Sequence, residues 1–249
     1  MNAQPDWWRT FFSGLAVEFW LLATPEEMTK SEVDFVQKVS GVVAPGKLLD
    51  VPCGGGRHSV VFAERGYSIT AVDLSPVFLE HARIDAAQRK VKIRWEEREM
   101  SDLPWDREFD GAFCLGNSFG YQSDEGNAAF LKAVARTLKP GGKFVIDTGY
   151  IAETLLPNLQ LKSWAQIGDI YFLPDRHFDP ASGRLEVEYT FIRDGRIEKK
   201  AMSARIYTYR EFSRLMEEAG FIDLQGYGSL DQAPFRFGAN RLLMEATKP

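Results

Sequence analysis

From Lys47 onward, short apolar runs alternate with amphipathic stretches. The spacing predicts a strand over 47–51, a helix over 56–65 ended by Gly66, and a strand over 68–72. Ser75-Pro76 then starts a helix over 76–89, and a strand follows over 91–95. Phe109–Leu115 reads as the next strand, 124–138 as a helix stopped by Lys139-Pro140-Gly141-Gly142, and Lys143–Ile146 as the fifth strand. This βαβα rhythm calls for a parallel sheet with helices on both faces. Right-handed crossovers put the C-terminal end of every strand on one edge. Asp50, Asp73, Glu99, Leu115 to Ser118 and Asp147 are therefore expected along a single rim.

The flanks have a different texture. In residues 5–22, Trp7, Trp8, Phe11, Phe12, Leu15, Phe19 and Trp20 recur largely at three, four and seven, which predicts one helix with a wide aromatic face. Such a face either packs on the main sheet or closes over a ligand. Thr24-Pro25-Glu26-Glu27 reads as the start of a second helix, with Thr24 as its cap, running to about Val43 before Ala44-Pro45-Gly46. After Tyr150 the pattern turns antiparallel, with strands at Trp164–Leu173, Arg184–Arg193 and Arg196–Tyr207 and a two-residue hairpin at Asp194-Gly195. A helix over Thr208–Ala219 and strands over 221–227 and Arg241–Ala246 complete the reading. The expected division is an N-terminal helical lid (1–44), a core (45–150), an antiparallel β insert on the acceptor side (151–207) and a C-terminal completion of the core sheet (208–249).

With 249 residues and 45% hydrophobic content, the chain can bury one substantial core and carry an insertion. A net charge of -5 gives no general attraction to polyphosphate backbones or anionic membranes, so the expected partner is a small molecule. Neither nucleic acid nor membrane is expected as a partner, and a homodimer is left open. Cys53 and Cys114 are the only cysteines; they form no disulfide scaffold and no metal site is expected. The apolar stretch Phe11–Ala23 is too short to span a bilayer, contains Glu18 and lacks the basic flank of a signal peptide. The expected location is the cytoplasm.

Candidate chemistry begins at Leu48-Leu49-Asp50-Val51-Pro52-Cys53-Gly54-Gly55-Gly56-Arg57-His58, a strand, a glycine bend and a helix start. Glycines allow close backbone approach to a ligand, and a helix N-terminus offers unpaired N–H groups. About 20 residues on, Asp73 stands where a doubly wound sheet places the carboxylate that grips a ribose diol. These features imply a nucleoside-containing cofactor. For a dinucleotide fingerprint, Gly54 and Gly56 fit, but Ser59 stands where the third glycine belongs, so an NAD(P)-dependent oxidoreductase is the weaker alternative.

The remaining motifs resemble those of the class I S-adenosylmethionine-dependent methyltransferases, in order across residues 45–150. They are Asp50 to Gly56 (with Pro52 in place of the first usual glycine), Asp73, Glu99-Met100 with Asp102-Leu103-Pro104, Cys114 to Tyr121, and Leu138 to Gly142. The resemblance implies a Rossmann-like, doubly wound, mostly parallel seven-stranded α/β sheet. It also implies S-adenosyl-L-methionine as cofactor and S-adenosyl-L-homocysteine as product. The implied cofactor contacts are the backbone of Pro52, Cys53, Gly54, Gly55 and Gly56 beneath methionine and ribose, and Asp73 with neighbouring Leu74 on the ribose diol. Glu99 and the Met100 N–H would hold adenine, carbonyls around Leu115, Gly116 and Asn117 would meet the ammonium, and Asp50 would orient the loop or reach the ammonium through water.

Methyl transfer from a sulfonium needs positioning and exclusion of water rather than a covalent enzyme intermediate, in keeping with the lack of an obvious catalytic dyad. Candidate acceptor-side residues are Asn117, Ser118 and Tyr121 after the fourth strand, Tyr150 after the fifth, and His177, Arg205 and Tyr207 in the insert. Trp164, Tyr171, Tyr209, Arg236 and Phe237 join them as further contacts. His177 and His58 each have a blander reading, as a surface-loop and a packing residue. The Asn117 to Tyr121 stretch, the insert and Arg205-Ile206-Tyr207-Thr208 resemble a small-molecule N- and O-methyltransferase branch that includes sugar-amine enzymes. No Asn-Pro-Pro-Tyr sequence follows the fourth strand. A noncatalytic cofactor-binding regulator is the remaining alternative.

Overall fold

A computed structural model describes residues 3–249. Strands β1 (Lys47–Asp50), β2 (Ser68–Asp73), β3 (Arg94–Glu97), β4 (Phe109–Cys114) and β5 (Leu138–Thr148) run parallel, and β10 (Ile222–Tyr227) and β11 (Leu242–Thr247) add an antiparallel edge. The order across this sheet is β10-β11-β5-β4-β1-β2-β3. The chain leaves β1 in one direction to β2 and β3, then returns to β4 and β5 on the other side. Between the C-terminal ends of β1 and β4 the connecting loops diverge and a crevice opens, the usual binding place of open α/β sheets.

Alternation along the strands sorts side chains to two cores. Leu48 packs with Phe62, Phe113 and Val33 on one face, where helices α3 (Glu26–Ser40) and α4 (Arg57–Glu64) lie. Leu49 packs with Phe109, Phe130 and Phe144 on the other, under α6 (Asp124–Thr137) and α8 (Tyr209–Glu218). Helix α5 (Pro76–Gln88) starts on Ser75, whose side chain accepts from the Phe78 N–H, and α8 carries a complete capping box between Thr208 and Glu211.

The insert is a second, antiparallel sheet, β6 (Ala165–Ile167), β7 (Ile170–Asp179), β8 (Arg184–Arg193) and β9 (Arg196–Arg205), reached through a short helix α7 (Ala152–Leu155). Leu185, Val187, Tyr189 and Phe191 of β8 form its buried face, and the aromatic N-terminal segment covers that face: Trp7, Phe11, Leu15 and Phe19 belong to this third core. Of the two expected places for the N-terminal helix, packing on the main sheet is therefore corrected. Its cover is the second sheet.

Four local expectations also change. Residues 5–22 form two helices, α1 (Trp8–Phe11) and α2 (Leu15–Leu22), because Gly14 sits at φ +60, ψ -138, which a side chain disfavours, and a Cβ there would overlap the Glu198 carboxylate. Glu198 instead accepts the Leu15 N–H at 2.9 Å and pins the break to β9. Helix α3 begins at Glu26 with Pro25 in the capping place and no side-chain bond from Thr24, and it ends at Ser40 because left-handed Gly41 closes it first. Trp164–Leu173 is a hairpin rather than one strand, turned at Gly168-Asp169, so that Ile167 pairs with Ile170. The expected strand over 91–95 lies instead at Arg94–Glu97.

Candidate functional site

At the C-terminal edge of the main sheet lies a cavity of about 960 Å³, within the range of small-molecule sites. One wall is made by strand ends: Pro52 to Gly55 after β1, Asp73 to Phe78 after β2, Glu99 and Met100, and Leu115 to Ser118 after β4. The facing wall comes from the N-terminal arm, Tyr121, Tyr150, Tyr189 of β8 and Met202 of β9.

On the first wall, Asp73 is buried and its two oxygens accept the Gly54 N–H at 2.7 Å and the Ser75 N–H at 2.8 Å. Burial pushes its carboxyl up to about 6 despite these bonds. Gly54 and Gly116 turn bare backbone to open space; a Cβ on either would meet no atom within 4 Å. Gly56 does not line the cavity. It packs behind the bend, where a Cβ would strike Trp95 at 2.6 Å and Ala82 at 2.9 Å, so glycine there lets α4 and α5 close on the sheet. Asp50 also lies below the cavity, 1% exposed, accepting from Ser59 Oγ at 2.6 Å, and burial raises it to about 7. It orients the first turn of α4. Ser59, where a dinucleotide site wants glycine, is its partner.

Glu99 has one oxygen on Gln122 Nε2 at 3.0 Å. The other lies 2.8 Å from Arg9 Nη2, yet it is buried and no hydrogen is aligned on it among the described residues.

Beneath this wall is a charge network that the sequence did not disclose. Glu32 of α3 is 4% exposed and is approached by Arg57 Nη1 at 2.5 Å, His58 Nε2 at 2.8 Å and Arg241 Nη2 at 3.0 Å. Arg241 also binds Asp147 at 2.6 Å, and Asp147 accepts the Gly116 N–H at 3.3 Å. Burial works to raise Glu32, but the His58 bond and the Arg57 charge outweigh it and leave it at about 2. Burial lowers His58 to about 4, so a neutral imidazole donates to an ionised Glu32. Arg57-His58 directly after the glycines was the one local sign; Glu32 and Arg241 are 209 positions apart.

The facing wall is aromatic. Tyr121 packs edge-on against Trp7 at 4.7 Å between centroids, and Trp8 lines the cavity beside it. The hydroxyls of Tyr150 and Tyr189 both donate to Met202 Sδ, at 3.5 and 3.3 Å. Burial raises Tyr121 and Tyr150 well above their usual values and Tyr189 to about 12. Asn117 lines the cavity, but its Oδ1 accepts the Gly149 N–H at 2.7 Å. Three acceptor-side candidates lie elsewhere. Tyr207 donates to Asp124 at 2.6 Å and accepts from Asn127 at 3.0 Å, Arg205 pairs with Asp124 at 3.2 Å and covers the Tyr207 ring, and His177 stands opposite Glu186 on the second sheet. Trp164 and Phe237 are 72% and 78% exposed and outside the lining. Tyr189 and Met202 were missed because strand alternation marks a buried side, not which cavity it meets.

Residues 48–142 match a family model described as a methyltransferase domain. A ubiquinone biosynthesis O-methyltransferase of Xanthomonas oryzae pv. oryzae is 30% identical over 143 residues, 55% of this chain and 58% of that protein. A methyltransferase structure from Clostridium acetobutylicum, described as S-adenosylmethionine-dependent, superposes with a TM-score of 0.77 at 18% identity, covering 92% of this chain and 95% of that one. Residues 48–142 are thus similar to a methyltransferase domain, set in a fold shared with a methyltransferase structure. A sugar N-methyltransferase from a Streptoalloteichus species shares the fold, with a TM-score of 0.72 at 22% identity over 95% and 93% of the two chains. The chain spans less than two thirds of the length of the curated O-methyltransferase it matches.

S-adenosylmethionine, the cofactor named for the Clostridium acetobutylicum structure, fits the strand-end wall on three observations. Backbone at Gly54 and Gly116 faces open space, Asp73 presents a buried carboxylate with acceptor capacity left beside its backbone bonds, and Glu99 Oε2 is buried without an aligned donor among the described residues.

Proposed function

We propose that this protein transfers the methyl group of S-adenosylmethionine to a small-molecule acceptor. The observation that carries the reading is the convergence of Gly54, Asp73, Glu99 and Gly116, from four separate strand ends, on one wall of a cavity whose other wall is mainly aromatic. The relatives named above support it: their names describe transfer to oxygen in ubiquinone biosynthesis and to nitrogen of a sugar. None of them supports an oxidoreductase or a noncatalytic regulator.

Bound S-adenosylmethionine supplies an electrophilic methyl group on a sulfonium. Asp73, ionised, would accept from the ribose diol while its backbone bonds hold the carboxylate in place. Glu99 Oε2 would take the adenine amino group, and the Met100 N–H would meet the ring. The Gly54 and Gly116 backbones allow the amino-acid end to approach. The aromatic arm excludes water and holds the acceptor in line, so proximity and desolvation carry the rate.

Isothermal calorimetry with S-adenosylhomocysteine tests the reading. Binding, with no binding of a nicotinamide dinucleotide, is the expected result; the reverse overturns it. Among the described residues no helix is long and apolar enough to cross a membrane.

A further inference from the structure

The two walls of the cavity divide the ionisable groups unevenly. Arg57, His58, Asp73, His81, Asp85 and Glu99 all stand on the strand-end side with the helix that follows β2, and Arg9 of the arm reaches that side through Glu99. The facing chamber, formed by Trp7, Trp8, Phe11, Tyr121, Tyr150 and Tyr189 with Met202, has no titrating side chain in its lining except its tyrosines among the described residues, and the Arg176 charge acts on Tyr150 and Tyr189 from outside that lining.

The chamber is also rich in donors and poor in acceptors. Tyr150 and Tyr189 give their hydroxyl protons to one thioether, a weak acceptor. Trp8 Nε1 is buried with no partner among the described residues. The best nearby acceptor, Asn117 Oδ1, already holds the Gly149 N–H. A ligand satisfies such a chamber by bringing lone pairs rather than protons.

We propose, on the methyltransferase reading above, that the acceptor is an uncharged, unprotonated nitrogen on a ring-bearing small molecule whose other lone pairs take the hydroxyls of Tyr150 and Tyr189 from Met202. An alcohol or phenol has to surrender its proton, and the chamber has no group to take it; burial keeps the three tyrosines protonated. A neutral nitrogen has its lone pair ready. That pair forms the N–C bond as the C–S pair returns to sulfur, the positive charge passes from sulfonium to nitrogen, and an N–H proton leaves to water after release. A protonated amine has no free lone pair, and no carboxylate faces the chamber to replace its hydration. The indole faces instead offset the charge that appears on nitrogen during transfer.

The test uses the protein saturated with S-adenosylhomocysteine and three matched probes: 4-methylaniline, 4-methylphenol and benzylamine. Asp73 titrates near 6 on the opposite wall, so binding is measured by calorimetry above pH 7. The expected results are pH-independent binding of 4-methylaniline and benzylamine affinity that rises about tenfold per pH unit toward its free-base form. With S-adenosylmethionine and labelled methyl, 4-methylaniline is methylated and 4-methylphenol is not. Tyr189→Phe weakens 4-aminoacetophenone, an arylamine whose carbonyl oxygen brings the additional lone pairs, about three- to tenfold, the worth of one hydrogen bond. Met202→Leu, which frees both hydroxyls, tightens it, an outcome that a purely structural methionine would not produce. S-adenosylhomocysteine affinity serves as the folding control for both variants. Faster methylation of the phenol, pH-independent benzylamine binding, or no binding of any probe to the loaded protein overturns the acceptor class and leaves the cofactor reading standing. Failure to bind S-adenosylhomocysteine overturns the cofactor reading itself.

Discussion

Backbone and carboxylates line one half of the cavity, and aromatic rings line the other. The first half comes from strand ends of a single parallel sheet, where Gly54, Asp73 and Gly116 are placed by the same β-α-β geometry. The second is assembled from the N-terminal arm, a loop after β4 and two strands of a separate sheet. Arg184 joins them by holding the Tyr121 and Gln122 carbonyls at 3.2 and 3.3 Å. Division of labour follows from construction: repeated strand ends suit a fixed, polar cofactor, whereas an appended sheet can vary its side chains to suit an acceptor. Changes in one half are therefore expected to leave ligand binding by the other nearly intact.

The largest effect is expected at the foundation of the cofactor wall. Glu32→Ala leaves Arg57 and Arg241 without their shared buried partner and is expected to lower folding stability by about 3–5 kcal/mol, read by guanidinium denaturation. A loss below about 1 kcal/mol would mean that the network carries little of the wall. Asp73→Ala comes next, with S-adenosylhomocysteine affinity weakened by about 1–3 kcal/mol, the range for hydrogen bonds to a charged group. Unchanged affinity in the folded variant contradicts the ribose contact and the proposed polarity of the two halves.

A pH series sharpens the same point. Asp73 has a carboxyl raised to about 6 in the free protein, and in the proposed contact the ribose diol donates to its ionised form. Affinity is therefore full above pH 6 and falls as pH drops through it, by up to about 1.4 kcal/mol per unit. Asp73→Asn flattens the profile, whereas Asp50→Asn, at the other raised carboxyl but below the cavity, leaves it in place. The smallest effect belongs to Arg9, half exposed in its pair with Glu99. Arg9→Ala is expected to change stability by less than about 1 kcal/mol and to leave cofactor affinity equal or slightly higher, because it frees Glu99 Oε2. A tenfold loss of S-adenosylhomocysteine affinity would make the arm part of the cofactor half.

Legibility follows the same boundary. Asp50 to Gly56 and Asp73 were readable because strand, bend and helix are neighbours in sequence, and Glu99 because Met100 and the following loop gave it context. Gly14 hid inside an aromatic pattern whose helical spacing continues across it. Arg205 and Tyr207 looked like rim residues because polar aromatics followed a strand, but Asp124 and Asn127, some 80 positions earlier, turn them away.

By itself the sequence determined the parallel core and its strand-end rim, since local alternation and turn chemistry dictate each βαβ unit and right-handed crossover fixes which ends align. Only the tertiary structure decided that the N-terminal arm covers the second sheet, that Tyr189 and Met202 face the cavity, and that Glu32, His58, Arg241 and Asp147 share one buried network. Those contacts depend on which apolar faces find each other across long separations, and hydrophobic burial is proportional to area without specifying a partner.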